Sequence, residues 1–138
     1  MTGVAQSFPA VDPVVQPEEA PFWDGLAAGE LRVPWCVHCD THVWRPKSHC
    51  TTCFRKVQQW RTLPGTGTVY SFSVVHRADG AFADVAPYVL AWIELDGGPT
   101  ILGNLVASDL GRVVVGASVR LASRAEEGVR VGPVFSVE

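Results

Sequence analysis

The chain has 138 residues, 47% of them hydrophobic, and a formal net charge of −3. A chain of this length can bury roughly two-thirds of its unfolded surface, so its core does not depend on disulfides. No apolar run approaches the ~20 residues that cross a bilayer, and the first residues lack the basic segment and apolar block of a secretory signal. We therefore expect a cytoplasmic protein with no membrane span. Thirteen glycines and ten prolines favour short strands joined by tight turns over long helices.

The charge is unevenly distributed along the chain. Residues 1–31 hold five acids and no lysine or arginine, whereas residues 32–61 hold six bases and one acid. The remaining 77 residues carry five bases and eight acids. The basic middle indicates either a local site for an anion or an acidic partner, or simply solvated surface charge. The overall balance is not that of a duplex-DNA binder.

The first thirty residues predict an arm followed by a short helix. Residues 1–16 have no helical period and are expected to form a flexible arm. Residues 17–30 are expected to form a short helical segment, as one helix or two. Pro17 and the two glutamates after it suit a helix start, and Gly29 suits a helix end.

The four cysteines form two C-x-x-C knuckles, Cys36–Cys39 and Cys50–Cys53, with ten residues between them. Each short turn can present two sulfurs to one tetrahedral ion at about 2.3 Å, and four thiolates make a closed structural shell. Soft sulfur ligands in this geometry select zinc or, as the minor alternative, iron. Residues 31–61 are therefore predicted to be a zinc ribbon, since a disulfide framework is rare in a chain that is not secreted. Trp35 and Trp44 flank the first knuckle and are expected to pack over it.

Residues 62–138 are predicted to form a small antiparallel barrel of five or six strands, because the hydrophobic period changes to two. The clearest strands are Thr68–His76 and Tyr88–Leu95. The second is apolar on both faces, as expected of a barrel strand whose outer side is covered by another part of the molecule. Tyr70 and Phe72 alternate along the first and are expected to fill the barrel. Other predicted strands are Val57–Leu63, Thr100–Val106, Gly116–Ser123 and Val129–Val137.

The sequence carries no motif of an enzyme that acts alone. It has neither a G-x-S-x-G elbow nor an H-E-x-x-H helix, and Gly65-Thr66-Gly67 fits a hairpin turn better than a phosphate loop. One modest constellation follows the strand Thr68–His76, and its members are His76, Arg77, Asp79 and Asp84. A His–Asp pair can act in acid–base chemistry, and an arginine can bind a phosphate. Residues in a barrel loop more often serve a ligand mouth or a partner interface, so none is assigned a catalytic role.

Several segments in the same order resemble one family. They are the helix Pro21–Leu26, the four-cysteine ribbon, the strand Gly67-Thr68-Val69-Tyr70-Ser71-Phe72-Ser73-Val74-Val75-His76-Arg77, then Phe82-Ala83-Asp84 and Pro87-Tyr88. Residues 20–137 are similar to OB-fold, acyl-CoA-associated proteins with an N-terminal rubredoxin-like zinc ribbon. The resemblance implies a mainly β fold of short helix, Cys₄ zinc ribbon and five-stranded OB-fold barrel. It also implies an accessory role beside thiolase-like or hydratase-like proteins. These include lipid-transfer-protein-like aldolases that split the side chain of a steroid CoA thioester.

The expected function is therefore that of a non-catalytic accessory subunit with a structural Zn²⁺ ion. It would bind and complete a thiolase-fold aldolase or thiolase in a hetero-oligomer that processes acyl-CoA thioesters. Whether the partner is an aldolase, a thiolase or a hydratase stays open. Two alternatives also stay open. One is a single-stranded nucleic-acid binder, which the acidic barrel half disfavours, and the other is a stand-alone acyl-CoA carrier.

The candidate site residues fall into two groups. The expected metal ligands are Cys36, Cys39, Cys50 and Cys53. The residues expected to meet the ligand or the partner are Trp35, Arg45, Lys47, Arg55, His76, Arg77, Phe82 and Asp84. The ribbon bases would contact the phosphates of CoA, and Trp35 or Trp44 would stack on its adenine.

An obligate partner also predicts an exposed apolar patch on the isolated chain. The candidates are Phe22, Trp23, Phe82, Val134 and Phe135. Packing inside the chain is the alternative for each of them.

Overall fold

The computed structural model describes residues 8–9, 15–122 and 132–138. This part of the chain is mainly β with one short α-helix, as the sequence predicts, and no helix in it is long and apolar enough to span a membrane. The helix α1 covers Ala20–Ala27. The strands are β1 (Leu31–Cys36), β2 (Thr41–His42), β3 (Gln59–Leu63), β4 (Thr66–Val75), β5 (Tyr88–Leu95), β6 (Thr100–Val106), β7 (Ser118–Leu121) and β8 (Val134–Val137).

The helix α1 follows directly on a 3₁₀ turn over Pro17–Glu19. Phe22, Gly25 and Leu26 form its buried face at helical spacing, which turns the helix toward the sheets. Gly29 ends the segment with a φ of +77°, a conformation that glycine adopts without steric cost. The short helix is therefore held by its apolar face and closed by a glycine.

Three strands form the ribbon sheet, in the order β2–β1–β3, and both pairs are antiparallel. β1 pairs with β3 from Leu31 opposite Leu63 to Trp35 opposite Gln59. Cys36 is the last residue of β1, so the first knuckle begins where this strand ends. The chain then passes through both knuckles before it returns as β3. The pairing of β1 with β3 therefore holds the two ends of the cysteine segment together.

The five C-terminal strands close into a barrel in the order β4–β5–β6–β8–β7, with β7 paired back to β4. Four of the five pairs are antiparallel, and the β6–β8 pair is parallel. A closed ring with an odd number of strands cannot reverse direction at every pair. The predicted antiparallel barrel therefore needs one parallel pair in order to close.

The barrel interior is filled by alternate residues of its strands, as in β5, where every second side chain is buried. Phe135 of β8 is 0% exposed and occupies the interior. Its ring lies against Gly103 of β6, where an added Cβ would come within 3.2 Å of the ring. Gly103 therefore provides the space for Phe135. The other fully buried barrel side chains include Val69, Val89, Ile93, Ile101, Leu105 and Val119.

The prediction that Tyr70 and Phe72 fill the barrel is wrong. Tyr70 is 60% exposed and Phe72 is 38% exposed. The register between β4 and β5 shifts between Val69 and Ser71, so Tyr70 is the extra residue of a β-bulge. Before the bulge Val69, and not Tyr70, is the buried residue, and after the bulge Phe72 pairs with the buried Ala91 but stays partly exposed. Phe135 supplies the interior aromatic ring instead.

One apolar core runs from the helix through the ribbon sheet into the barrel. Its buried members include Leu26 of α1, Val33 of β1 and Ile93 of β5. Leu63 at the end of β3 joins the two sheets, because its side chain lies against the β5–β6 turn at Gly98. The helix, the ribbon sheet and the barrel therefore share their hydrophobic stabilisation.

Parts of the predicted organisation lie outside the described residues. The predicted strands Gly116–Ser123 and Val129–Val137 contain β7 and β8, but the turn predicted at 126–128 is not among these residues. Of the predicted arm 1–16, the structure describes residues 8–9 and 15–16. Phe8 lies edge-on to Tyr88 of β5, with ring centroids 6.1 Å apart, so this part of the arm contacts the barrel.

Candidate metal centre and surface grooves

The four cysteine sulfurs converge at one point, where all of them lie within 4.8 Å of one another. The sulfurs of Cys36 and Cys53 are 3.6 Å apart, and those of Cys39 and Cys50 are 4.0 Å apart. A tetrahedral ion with metal–sulfur bonds of about 2.3 Å sets sulfur–sulfur distances of about 3.8 Å. The donors therefore fit one tetrahedral metal ion that joins the two knuckles.

Backbone N–H groups point at two of the sulfurs. The N–H of Cys39 donates to Sγ of Cys36, and the N–H of Thr52 donates to Sγ of Cys50, each over 3.4 Å. Phe54 closes the second knuckle with a φ of +62°, and its N–H donates to the carbonyl of Cys50. Hydrogen bonds to sulfur favour the thiolate, which is the form that binds a metal.

The cysteines differ in their readiness to ionise. Backbone hydrogen bonds from Cys53 and Thr52 lower the pKa of Cys50 to about 6. Burial, together with hydrogen bonds to the neighbouring thiols, raises the pKa of Cys39 to about 12. Because four negative sulfurs repel one another at this spacing, the last protons leave only when a cation replaces them. The cluster is thus prepared for a divalent ion.

Aliphatic side chains, and not tryptophans, pack around the cysteines. Val43 is buried among them, and Val57 packs against the same cluster. The expectation that Trp35 and Trp44 cover the first knuckle is wrong, since both pack against the main core. Trp44 lies against Phe22 of α1, with ring centroids 5.2 Å apart. Trp44 therefore covers the ring of Phe22 on the buried face of the helix.

Trp35 is enclosed by polar groups of the ribbon. The guanidinium of Arg61 lies 4.0 Å from the centroid of its ring, in a cation–π contact. The indole N–H donates to Asp40 over 3.4 Å, and Arg61 is 3.8 Å from the same carboxylate oxygen. Since one face of Trp35 is occupied by this chain's own arginine, it is poorly placed to stack on adenine.

The other candidate residues are spread over the surface. The exposed ones are Arg45, Lys47, Arg55, His76, Arg77 and Asp84. Phe82 is half-buried and packs against Tyr88, with ring centroids 5.6 Å apart. Within the described residues, no ion pair joins His76 or Arg77 to the acids of the following loop. The structure therefore does not assemble these residues into a catalytic set.

A groove of about 480 Å³ opens where α1, the ribbon and the barrel meet, and we call it the junction groove. Its lining consists of Phe22, Trp23, Trp44, Arg45, Trp92, Ile101, Leu102 and Pro133. Four aromatic rings dominate this lining, and Arg45 is the one charged residue among its described members. Of the predicted ligand or partner residues, Arg45 is the one that the structure places in this groove.

The barrel carries an exposed apolar patch formed by Leu90, Trp92 and Leu102 on the outer faces of β5 and β6. Trp92 is 41% exposed, Leu102 is 39% exposed, and the two are directly opposite each other in the sheet. Both also line the junction groove, so the patch and the groove form one continuous surface. Sequence reasoning did not select these residues, although the strand Tyr88–Leu95 gave the signal by being apolar on both faces.

The residues that were expected to form an exposed patch are more enclosed. Phe22 and Phe135 are buried, so the prediction is wrong for these two. Trp23, Phe82 and Val134 are half-buried. Packing inside the chain prevails for Phe22 because the helix buries it against Trp44, and for Phe135 because the barrel needs a ring beside Gly103.

Two family models match the chain. The rubredoxin-like zinc ribbon domain of ChsH2 matches residues 23–57, and the C-terminal OB-fold domain of ChsH2 matches residues 60–124. A DUF35 domain-containing scaffold protein of Methanothermobacter thermautotrophicus is 30% identical over 96 residues, which cover 67% of this chain and 72% of that protein. The chain belongs to the DUF35 family. The predicted combination of zinc ribbon and OB-fold barrel is confirmed.

The chain spans less than two-thirds of the length of two further relatives that it matches. A DUF35 domain-containing scaffold protein of Methanocaldococcus jannaschii is 38% identical over 90 residues, or 64% of each chain. The alpha subunit of a 3-oxo-4,17-pregnadiene-20-carboxyl-CoA hydratase of Mycobacterium tuberculosis is 35% identical over 105 residues. That match covers 72% of this chain but only 31% of the subunit.

A solved structure resembles the whole DUF35 chain. It is a chain of the Ltp2-ChsH2(DUF35) aldolase, which aligns with a TM-score of 0.79 and 27% sequence identity. The alignment covers 91% of this chain and 98% of that one. The arrangement of ribbon and barrel in this protein is therefore similar to that of an aldolase component.

Proposed function

We propose that this DUF35 protein is a non-catalytic accessory subunit that binds and completes a thiolase-fold aldolase acting on acyl-CoA thioesters. Its similarity to a chain of the Ltp2-ChsH2(DUF35) aldolase carries the proposal, because it extends over nearly the full length of both chains. The similarity to a subunit of a hydratase named for a steroid acyl-CoA supports a CoA thioester as the substrate. A steroid side chain is the acyl group that we favour.

The outer patch and the junction groove are the proposed docking surface for the aldolase subunit. Leu90, Trp92 and Leu102 remain exposed although the barrel interior is already filled. Contiguous exposed apolar side chains are typical of a protein interface, and aromatic rings often supply much of its binding energy. Arg45 at the groove adds a cation that can pair with a carboxylate of the partner.

Zinc is the proposed structural ion. Four sulfur donors complete a tetrahedral shell and leave no position for substrate, and soft donors in this geometry suit zinc. The ion would tie Cys36 and Cys39 to Cys50 and Cys53, and so hold the ribbon in shape. Metal analysis of the purified protein distinguishes zinc from iron, the alternative for the same shell.

Bond breaking is assigned to the partner. All four cysteines belong to the metal cluster, so none is available as a nucleophile. Among the residues that the structure describes, the lining of the junction groove contains no histidine and no carboxylate that could act as an acid or base. The groove can therefore bind and orient a ligand, but its own side chains offer no proton transfer.

Co-expression with a lipid-transfer-protein-like aldolase subunit tests the proposal. We expect the two chains to co-elute, and we expect aldolase activity on an acyl-CoA substrate to require both. Trp92→Ser and Leu102→Ser should weaken co-elution, because they remove apolar area from the docking surface. Val115→Ser is the matched control, since Val115 is exposed in the loop between β6 and β7, away from the patch.

Two results would contradict the proposal. In the first, the chains elute separately and neither alters the activity of the other. In the second, the isolated DUF35 chain cleaves the thioester substrate by itself. If the chain co-elutes with a hydratase subunit and not with the aldolase, the partner is the hydratase subunit.

A further inference from the structure

A second groove has a volume of about 310 Å³, and we call it the lysine groove. Its lining consists of Pro17, Glu18, Lys47, Ser48, Lys56, Val57 and Trp60. Three separate parts of the chain thus meet there: the turn before α1, the segment between the knuckles, and the start of β3. None of these residues is a cysteine or belongs to the outer patch, and Val57 connects the groove to the apolar side chains around the cysteine cluster.

The fold brings the two lysines to one groove although they are nine positions apart in the chain. His49 and Lys56 form an isolated antiparallel bridge, and the N–H of Val57 donates to the carbonyl of Ser48 over 2.8 Å. These bonds close the second knuckle and place Lys47 and Lys56 on the walls of the same groove. Since the metal shapes the same knuckle, the groove depends on an intact ribbon.

The electrostatics of the groove favour an anion. Both lysines are exposed, and within the described residues neither has an ion-pair partner. Among the described residues of the lining, Glu18 is the only acid beside the two lysines, so this part of the groove carries a net positive charge. The hydroxyl of Ser48, which lies 3.0 Å from Nδ1 of His49, is a further polar group in the lining. Two neighbouring ammonium groups that have no ion-pair partner among the described residues can receive phosphate oxygens.

The groove also offers a surface for a ring. Trp60 packs partly against the main core, and the rest of its side chain lines the groove. An indole next to two cations can stack on a base while the lysines contact the phosphates. Phosphate together with an aromatic base is the chemistry of a nucleotide.

We propose that Lys47, Lys56 and Trp60 form a binding groove for a phosphorylated adenine nucleotide, namely the adenosine phosphate end of coenzyme A. The choice of CoA rests on the proposed function, whereas the preference for a phosphorylated nucleotide follows from the groove itself. The lysines contact the phosphates, and Trp60 stacks on the base. The nucleotide end of the substrate is thereby held by the accessory subunit.

Calorimetric titration of the full-length, metal-loaded chain tests the groove. The probes are CoA, adenosine 3′,5′-bisphosphate, adenosine and inorganic phosphate. We expect CoA and the bisphosphate to bind with similar affinity. Adenosine alone keeps only the contact with Trp60, and phosphate alone keeps only the contacts with the lysines, so each should bind at least about tenfold more weakly. Equal binding of adenosine and the bisphosphate would overturn the role of the lysines.

Charge variants give effects of opposite sign. K47Q/K56Q should weaken binding of the bisphosphate at least about tenfold, whereas E18Q should strengthen it about two- to fivefold, because it removes the acid that faces the phosphates. Arg112→Gln removes a positive charge from an exposed position next to the barrel, outside the groove lining, and it should change the affinity by less than about twofold. If K47Q/K56Q and Arg112→Gln weaken binding equally, the groove is not the site.

The ring and the ligand class are tested separately. Trp60→Leu should weaken nucleotide binding about five- to tenfold and leave phosphate binding unchanged, provided the melting temperature is retained. A single-stranded RNA that binds more tightly than the bisphosphate, with a steep salt dependence, would overturn CoA as the ligand.

Loss of nucleotide binding in K47Q/K56Q with normal co-elution of the aldolase supports the groove independently of the docking surface. Failure of co-elution with intact nucleotide binding rejects the proposed function but not the groove.

Discussion

The cysteine cluster and the barrel are stabilised in different ways. Around the knuckles, the buried apolar side chains are few: Cys36, Cys50 and Val43 form the cluster, with Val57 against it. The main core, by contrast, runs from α1 through the ribbon sheet into the barrel. A segment with so little apolar burial would be stabilised mainly by a metal ion bound to its four cysteines, whereas the barrel is stabilised by the packing of its interior.

Because the two regions are stabilised differently, substitutions in the cysteine cluster and in the barrel core should have different effects. A cysteine substitution should affect the segment between Cys36 and Val57 and spare the barrel. A core substitution in the barrel should lower the free energy of unfolding without releasing the metal.

The largest effect is expected from Cys36→Ser. Losing one of four ligands should release the metal, whose binding supplies on the order of 10 kcal/mol of folding free energy in small zinc domains. Metal content measured by mass spectrometry should fall to zero, while the methyl NMR signals of Ile93 and Ile101 keep their native positions. Val37→Ser, at an exposed position in the same knuckle, is the control and should retain the metal. A variant that loses the metal but keeps a folded ribbon would contradict this account.

Phe135→Ala should give the next largest effect. Removing the fully buried ring from the barrel should lower the free energy of unfolding by about 3–5 kcal/mol, as measured by urea denaturation. The metal content should stay unchanged, because the ring lies far along the chain from the knuckles. Val137→Ala, half-buried in the same strand, should cost about 1 kcal/mol. Loss of metal from Phe135→Ala would show that the two regions are not separable.

Gly67→Ala should destabilise the barrel through overpacking. An added Cβ would lie 2.6 Å from the carbonyl oxygen of Glu94 and 2.9 Å from the side chain of Ile93. Because backbone cannot move aside as a flexible side chain can, we expect a loss of about 1–3 kcal/mol in thermal or urea unfolding. Gly111→Ala is the control, since its Cβ would meet only ordinary contacts with Asp109, at 3.4 Å or beyond. Equal stability of the two variants would refute the overpacking argument.

Arg61→Ala should have the smallest effect. Its cation–π contact with Trp35 is partly exposed, so its loss should lower the free energy of unfolding by about 0.5–1 kcal/mol. Arg61→Lys should recover part of the loss by keeping the charge. In a double-mutant cycle with Trp35→Leu, the effect of Arg61→Ala should shrink. An unchanged effect in that background would assign the loss to Asp40 instead.

The metal cluster and the strands could be predicted from local sequence patterns. Two C-x-x-C knuckles ten residues apart can bring four sulfurs to one ion, and the structure places them within 4.8 Å of one another. The predicted strands Tyr88–Leu95 and Thr100–Val106 coincide with β5 and β6. In both cases the information lies within a few neighbouring residues.

The positions of two aromatic residues, Tyr70 and Trp44, could not be predicted from local sequence patterns. Tyr70 continues the alternation of β4 in the sequence, but a bulge places it outside the barrel. Trp44 stands beside a knuckle in the sequence, but it packs on the helix. Both outcomes depend on which strand or helix packs against the residue, and a single-strand pattern does not contain that information.

Local patterns are enough to predict the four-sulfur centre, the order of helix, ribbon and barrel strands, and the positive charge of the middle segment. These properties depend on spacing and composition, which the chain carries locally. The outward position of Trp92 and Leu102 beside the helix, and the groove shared by Lys47, Lys56 and Trp60, follow from the fold instead. Each of these surfaces is built from segments distant in the chain, so it exists only after barrel closure and knuckle formation have brought those segments together.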